Sequence, residues 1–264
     1  PADPEERLDA VTFSPHKFLG GPGSSGVLIF DRALYHNTEP DDAGGGTVAW
    51  TNPWGEYSFL QDVELREDAG TPGFLQAIRA ALAVRLKETM GVDAIRQREA
   101  EIASRAMTGL EAIPGVHLLA GHIRHRLPIF SFYVENLHYN LVVRLLNDRF
   151  GIQARGGCSC AGTYGHYLLH VDPARSRAIT DLIDHGDLSE KPGWVRLSFH
   201  PTTTDAEIDY CVEALREIVQ KAPEWSADYV YSPVTNEFCH RSGRDSGVPD
   251  MRDWSDLTLE GVAS

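Results

Sequence analysis

The chain has 264 residues, 42% of them hydrophobic, with 24 basic and 38 acidic side chains and a formal net charge of −14. That length buries a real core in one or two domains, and the acidic balance argues against a general nucleic-acid or anionic-membrane binder. There is no apolar run long enough to span a bilayer, about 18 residues, and no basic-then-apolar opening segment. Cys158, Cys160, Cys211 and Cys239 are too sparse for a disulfide framework, so reduced thiols in a cytoplasmic setting are expected.

Residues 11–35 predict strand, loop, strand and turn around Ser14-Pro15-His16-Lys17 and the glycines that follow. A lysine amine forms a Schiff base with an aldehyde, the usual tether of pyridoxal phosphate (PLP). Ser14 and His16 supply hydrogen-bond donors for a phosphate, and the glycines allow close backbone approach. Gly21-Pro22-Gly23-Ser24-Ser25-Gly26 spells G-x-G-x-x-G. That dinucleotide fingerprint must open a helix, whereas Val27-Leu28-Ile29-Phe30 reads as a strand. No Gly-Lys-Ser/Thr closes the run as a P-loop.

Asp41-Asp42-Ala43-Gly44-Gly45-Gly46-Thr47 is a loop by composition, followed by an aromatic stretch with Trp50, Trp54, Tyr57 and Phe59. In Arg66-Glu67-Asp68-Ala69-Gly70-Thr71-Pro72, Gly70 offers a backbone N–H, Thr71 a hydroxyl, and Pro72 a helix start. Residues 74–90 and 95–110 predict helices, the first in a largely apolar environment. Pro114-Gly115 marks a turn before a short strand at 116–119. His117, His122 and His125 cross that turn without a thiol or carboxylate partner and are expected to be surface residues.

Residues 127–134 predict a central strand, 139–150 a helix capped by Gly151, and Ile152 the start of the next strand. Arg155-Gly156-Gly157-Cys158-Ser159-Cys160-Ala161 comes next. Cys158, Cys160, His166 and His170 match no standard zinc module, and no metal is expected. A short amphipathic helix or loop covers 179–187. Arg196 then sits in the apolar strand 192–199, where an arginine is costly to bury without an anionic partner. Its planar fork suits a carboxylate. Thr202-Thr203-Thr204-Asp205 caps a helix with Ile208, Val212, Leu215 and Val219 on one face, which also takes Cys211 into the core. Beyond Pro223 a partly ordered extension is expected, with Cys239 and His240 as isolated surface residues.

Four motifs in order resemble the class V aminotransferases, which include cysteine desulfurases and selenocysteine lyases: the Ser14–Lys17 glycine-rich segment, Gly70-Thr71-Pro72, Arg155 to Cys160, and Gly193-Trp194-Val195-Arg196-Leu197-Ser198. The resemblance spans residues 11–222. It implies an α/β chain of the fold-type-I PLP-dependent transferase class: the end of a large domain (1–80), a smaller α/β domain with an antiparallel sheet (81–222), and an acidic tail extension (223–264). It implies Lys17 as the cofactor lysine, with Ser14, His16, Gly70 and Thr71 holding cofactor phosphate, the last two across a homodimer with shared active sites. Arg196 is the implied grip for an amino-acid carboxylate, Arg155 a second substrate-side arginine, and Cys160 the nucleophile of a desulfurase serving a sulfur acceptor protein. In those desulfurases Gly-His-His-Cys is usual; here Cys158 and Ser159 stand in place of the histidines. Because family enzymes carry their cofactor lysine past the middle of the large domain, the chain reads as the C-terminal portion of a longer enzyme. A plain aminotransferase and a non-catalytic dimerisation or binding fragment of the same fold are the alternatives.

Overall fold

A computed structural model describes residues 3–243, and the chain divides into two compact units, Pro1–Ala94 and Ile95–Ser264. In the first, β1 (Ala10–Phe13) pairs antiparallel with β2 (Val27–Phe30). A single 3-10 turn, Pro15–Lys17, leaves β1, as the strand-loop-strand reading requires. A second antiparallel pair, β3 (Val48–Thr51) with β4 (Tyr57–Phe59), precedes α1 (Val63–Glu67) and α2 (Phe74–Met90).

The apolar environment expected for residues 74–90 is not found among the described residues. Phe74 is 65% exposed, Leu75 74% and Ile78 54%, and α2 buries only Ala80 and Ala83. Pro72 also departs from expectation. The helix starts at Phe74 with Gly73 as its N-cap, which leaves Pro72 outside the first turn.

The second unit begins within α3 (Val92–Glu111). Then follow β5 (Val116–Leu118), β6 (Ile129–Val134), α4 (Tyr139–Phe150), β7 (Arg155–Gly157), α5 (Gly162–Leu168), α6 (Pro173–Asp184), β8 (Trp194–Ser198) and α7 (Asp205–Trp225). The strands form one antiparallel sheet in the order β5-β6-β8-β7. β6 is therefore interior, as its apolar run predicts. Phe130, Phe132, Val195 and Leu197 leave one sheet face fully or almost fully buried and join Ile102, Leu110, Val142, Leu145, Leu146, Ile208, Leu215 and Ile218 from α3, α4 and α7 in a single core. Alternation along β6 and β8 sends Ser131 and Arg196 to the opposite face.

Caps explain several boundaries. Thr204 and Glu207 form a reciprocal capping box at α7, and Gly151 closes α4 with its N–H on the Asn147 carbonyl. The strand expected from Ile152 starts at Arg155. The helix expected at 179–187 starts at Pro173, where Asp172 accepts from the Ala174 and Arg175 amides. Past α7, the residues expected to be only partly ordered form a hairpin, β9 (Tyr229–Ser232) with β10 (Glu237–His240). The remainder of the acidic tail, 244–264, lies outside the described residues.

Candidate active site

The first group of site residues belongs to the unit Pro1–Ala94. Lys17 ends its 3-10 turn with its N–H donated to the Ser14 carbonyl at 3.0 Å. The next amide, Phe18, bonds to Pro15 at 2.9 Å, and the Phe18 ring stacks on Phe13 with centroids 5.9 Å apart. The turn is thus pinned while the Lys17 and His16 side chains stay exposed. Gly21 is indispensable to this geometry: a Cβ there would lie 1.7 Å from the Pro15 carbonyl oxygen. Sequence reading overlooked Ser24 in the same loop, whose buried hydroxyl has no partner among the described residues. A lysine, a serine hydroxyl and an imidazole on one turn, beside an unsatisfied hydroxyl, form a donor set that suits an aldehyde-bearing phosphate ester.

The triple glycine, to which the sequence reading gave no role, positions Gly70. The Gly70 N–H does not stand free; it donates to the Gly45 carbonyl at 2.8 Å. Gly44 is held in turn by the buried Thr47, whose hydroxyl donates to the Gly44 carbonyl at 2.7 Å. Arg66, from the same motif, is buried and donates to the carbonyls of Leu60 at 2.9 Å and Asn37 at 3.0 Å. Thr71 is exposed, and its hydroxyl is the donor this loop offers outward.

The second group belongs to the unit Ile95–Ser264. Register places Arg155 of β7 directly opposite Arg196 of β8, with Ser131 of β6 on the other side of Arg196. Directly opposite residues share a sheet face, and like charges there repel. The Arg196 Nε is buried without a partner among the described residues. The Arg155 Nη2 points to the Cys160 Sγ at 3.3 Å, and Cys160 is exposed. Three cationic or nucleophilic side chains picked from sequence thus gather on β7, β8 and the loop after β7.

That loop is a tight turn, closed by the Ala161 N–H on the Cys158 carbonyl at 2.9 Å. Ser159 and Cys160 both take left-handed backbone, with φ of 52° and 62°. Non-glycine residues in sparsely populated regions cost about 1–3 kcal/mol each and persist only where their surroundings enforce them. One such restraint is visible: the Cys158 thiol donates to the Pro192 carbonyl at 2.9 Å. Burial pushes the Cys158 thiol up from its ordinary range, opposed by the Lys191 ammonium. Cys158 is therefore the hydrogen-bonded anchor and Cys160 the accessible sulfur.

His166 is engaged by the Gly162 carbonyl and the Ser176 hydroxyl, and no metal-holding group of three or more His, Cys, Asp or Glu occurs among the described residues. No helix among them is long and apolar enough to cross a membrane. A cleft of about 860 Å³ lined by Tyr133, Tyr139, Tyr164, Tyr167, Lys191 and Gly193 does not take in Arg155, Cys160 or Arg196. Charge and an exposed thiol meet instead at Arg155, Arg196 and Cys160.

Residues 5–211 match the model of the family described as aminotransferase class-V. Among curated proteins, a probable cysteine desulfurase of Staphylococcus aureus strain Mu50 is 28% identical over 213 residues, 81% of this chain and 46% of that protein. One of Staphylococcus epidermidis strain ATCC 12228 is 28% identical over 209 residues, 79% of this chain and 45% of that protein. The apo cysteine desulfurase of Thermococcus onnurineus NA1 superposes with a TM-score of 0.63 at 27% identity, over 80% of this chain and 47% of that one. The Escherichia coli cysteine desulfurase CsdA, at 23% identity and a TM-score of 0.60 over 81% of this chain and 46% of that one, shares the fold. The chain thus spans less than half the length of the relatives it matches, and its fold is that of the fold-type-I PLP-dependent enzymes.

Proposed function

Because the chain belongs to the aminotransferase class-V family, we propose that it carries the cofactor lysine and the substrate-side residues of a PLP-dependent cysteine desulfurase. The observation that carries this reading is the Arg155–Arg196 opposition with Cys160 seated on the Arg155 guanidinium. Two guanidiniums facing each other call for an anion, and an exposed thiol beside them gives that anion something to react with.

Bound PLP supplies a tether for the substrate amine and a sink for electrons from the substrate Cα. Lys17 would hold the cofactor, and its amine would move the proton at the substrate Cα. Ser14, His16 and Ser24 would hold the cofactor phosphate, and Thr71 would hold that of the partner subunit in a homodimer with shared sites. Arg196 holds the substrate carboxylate through paired charge-assisted bonds, and Arg155 assists. The Cys160 sulfur then bonds to the sulfur of a substrate cysteine as the substrate Cβ–S bond breaks. The electron pair stays with carbon, a proton replaces the lost sulfur, and alanine leaves with Cys160 as a persulfide. An acceptor thiol takes the outer sulfur from there. A reducing cytoplasm keeps the four free cysteines competent for this.

The test is alanine and sulfide production from cysteine by the protein loaded with PLP. Cys160→Ala and Lys17→Ala each abolish it on this reading. The replacement of Gly-His-His-Cys by Gly-Cys-Ser-Cys favours a second reading, amino transfer to a keto acid without thiol chemistry. Keto-acid-dependent transfer that survives Cys160→Ala would establish that reading in place of the first. Failure of the full-length protein to bind PLP would instead mark a non-catalytic binding module.

A further inference from the structure

We propose that the β9–β10 hairpin, which lies beyond the residues matched by the family model, is a positioning element for the cysteine loop, acting through Asn236, Tyr139 and residues 188–193. Its importance for sulfur transfer rests on the reading above; the positioning itself does not.

Asn236 ends the hairpin turn in left-handed backbone, φ 59°, and is only 8% exposed. Burying an amide at the edge of a hairpin is costly unless every polar group finds a partner. Here each does. The Asn236 Nδ2 donates to the Tyr139 hydroxyl at 2.6 Å, its Oδ1 accepts from the Tyr231 hydroxyl at 2.9 Å, and its carbonyl accepts from the Asn140 side chain at 2.5 Å. The Tyr139 hydroxyl in turn donates to the Lys191 carbonyl at 3.3 Å. Its ring presses on Gly193, where a Cβ would sit 2.6 Å from the ring and 2.8 Å from the Gly157 Cα. Independently, the hairpin residue Pro233 accepts the Leu188 N–H at 2.8 Å.

The hairpin therefore grips residues 188–193 at two points. That segment presents the Pro192 carbonyl to the Cys158 thiol, and Cys158 opens the strained turn that holds Cys160. Left-handed backbone at Ser159 and Cys160 needs external restraint to persist, and this chain of contacts supplies it. Partial burial, which pushes the Cys158 thiol up from its ordinary range, fits its part as donor.

The experiment is site-resolved alkylation of the full chain with iodoacetamide from pH 6 to 10, each cysteine quantified by peptide mass spectrometry. Asn236→Gly keeps the left-handed backbone and removes the amide. We expect Cys158 to be labelled about fivefold faster or more and its pH profile to shift down toward that of an ordinary thiol. Cys160 labelling changes with it, while Cys211 in α7 keeps its rate. Tyr139→Phe, which retains the ring on Gly193, changes Cys158 and Cys160 in the same direction and decides the matter if Asn236→Gly does not fold. The proposal is overturned if Cys158 and Cys160 merely follow Cys211 in both variants, the mark of a hairpin that only adds global stability. Labelling requires no cofactor, so failure of the desulfurase reading, seen as absent alanine and sulfide production, leaves this result intact.

Discussion

In Pro1–Ala94 the leucines, isoleucines and phenylalanines of α2 and β2 face outward, whereas in Ile95–Ser264 the same residue types fill the space between one sheet face and three helices. Apart from Pro15, the buried apolar side chains of the first unit among the described residues are Ala80 and Ala83. The second buries Phe130, Phe132, Ile208 and Leu215 completely. Hydrophobic burial is the main favourable term in folding, and among the described residues nearly all of it lies in the second unit. Yet the first carries Lys17 on a well-pinned turn. Local hydrogen bonds and one close glycine contact shape this turn with little apolar burial beneath it.

Separating the two units puts this difference to the most severe test. Residues 95–243 alone are expected to unfold cooperatively on heating, while residues 1–94 alone give no cooperative transition by circular dichroism or calorimetry. A sigmoidal melt from the first unit by itself would refute the contrast. Next in size are core truncations. Phe132→Ala is expected to cost about 3–5 kcal/mol in denaturant titrations. Ile78→Ala, 54% exposed on α2, stays within about 0.5 kcal/mol. Equal losses would mean that α2 is buried to the same degree as β6. Thr204→Ala removes the α7 capping box and is expected to cost about 1 kcal/mol.

The smallest effect is one of pH. Burial holds His138, at the α4 N-cap, below the ordinary histidine range. The folded state therefore binds fewer protons there than the unfolded chain, and stability from this site falls as pH drops through about 6.5. His138→Asn, which keeps a capping side chain, is expected to flatten the stability profile between pH 5 and 7 relative to the wild type. Unchanged profiles would show that His138 does not set this pH dependence.

Much of the second unit was legible locally. Gly151 and Thr204 announce a helix end and a helix start by their own chemistry. Asp172-Pro173 carries the same kind of signal for α6, an N-cap followed by proline at the first turn, and the sequence reading passed over it. The candidate site divides in the same way. Lys17, Cys160 and the two arginines stand in recognisable motifs. The opposition of Arg155 and Arg196 is a matter of strand register, set by pairings between distant segments that local pattern does not encode. Nor does spacing reveal that Gly70 spends its N–H on Gly45, or that Asn236 reaches Tyr139 across 97 positions. The outward face of α2 has a different origin. Its apolar periodicity marks a helix, but periodicity alone does not decide whether Leu75 and Ile78 find a surface to pack on.

The most direct test of the central claim is borohydride reduction after incubation with PLP, followed by peptide mapping. The chain has only four lysines, Lys17, Lys87, Lys191 and Lys221, so the outcome is unambiguous. A pyridoxyl adduct confined to Lys17, and lost in Lys17→Ala, is expected if Lys17 is the cofactor lysine. Adducts spread evenly over the four lysines, or absent from Lys17 in the full-length protein, would contradict it.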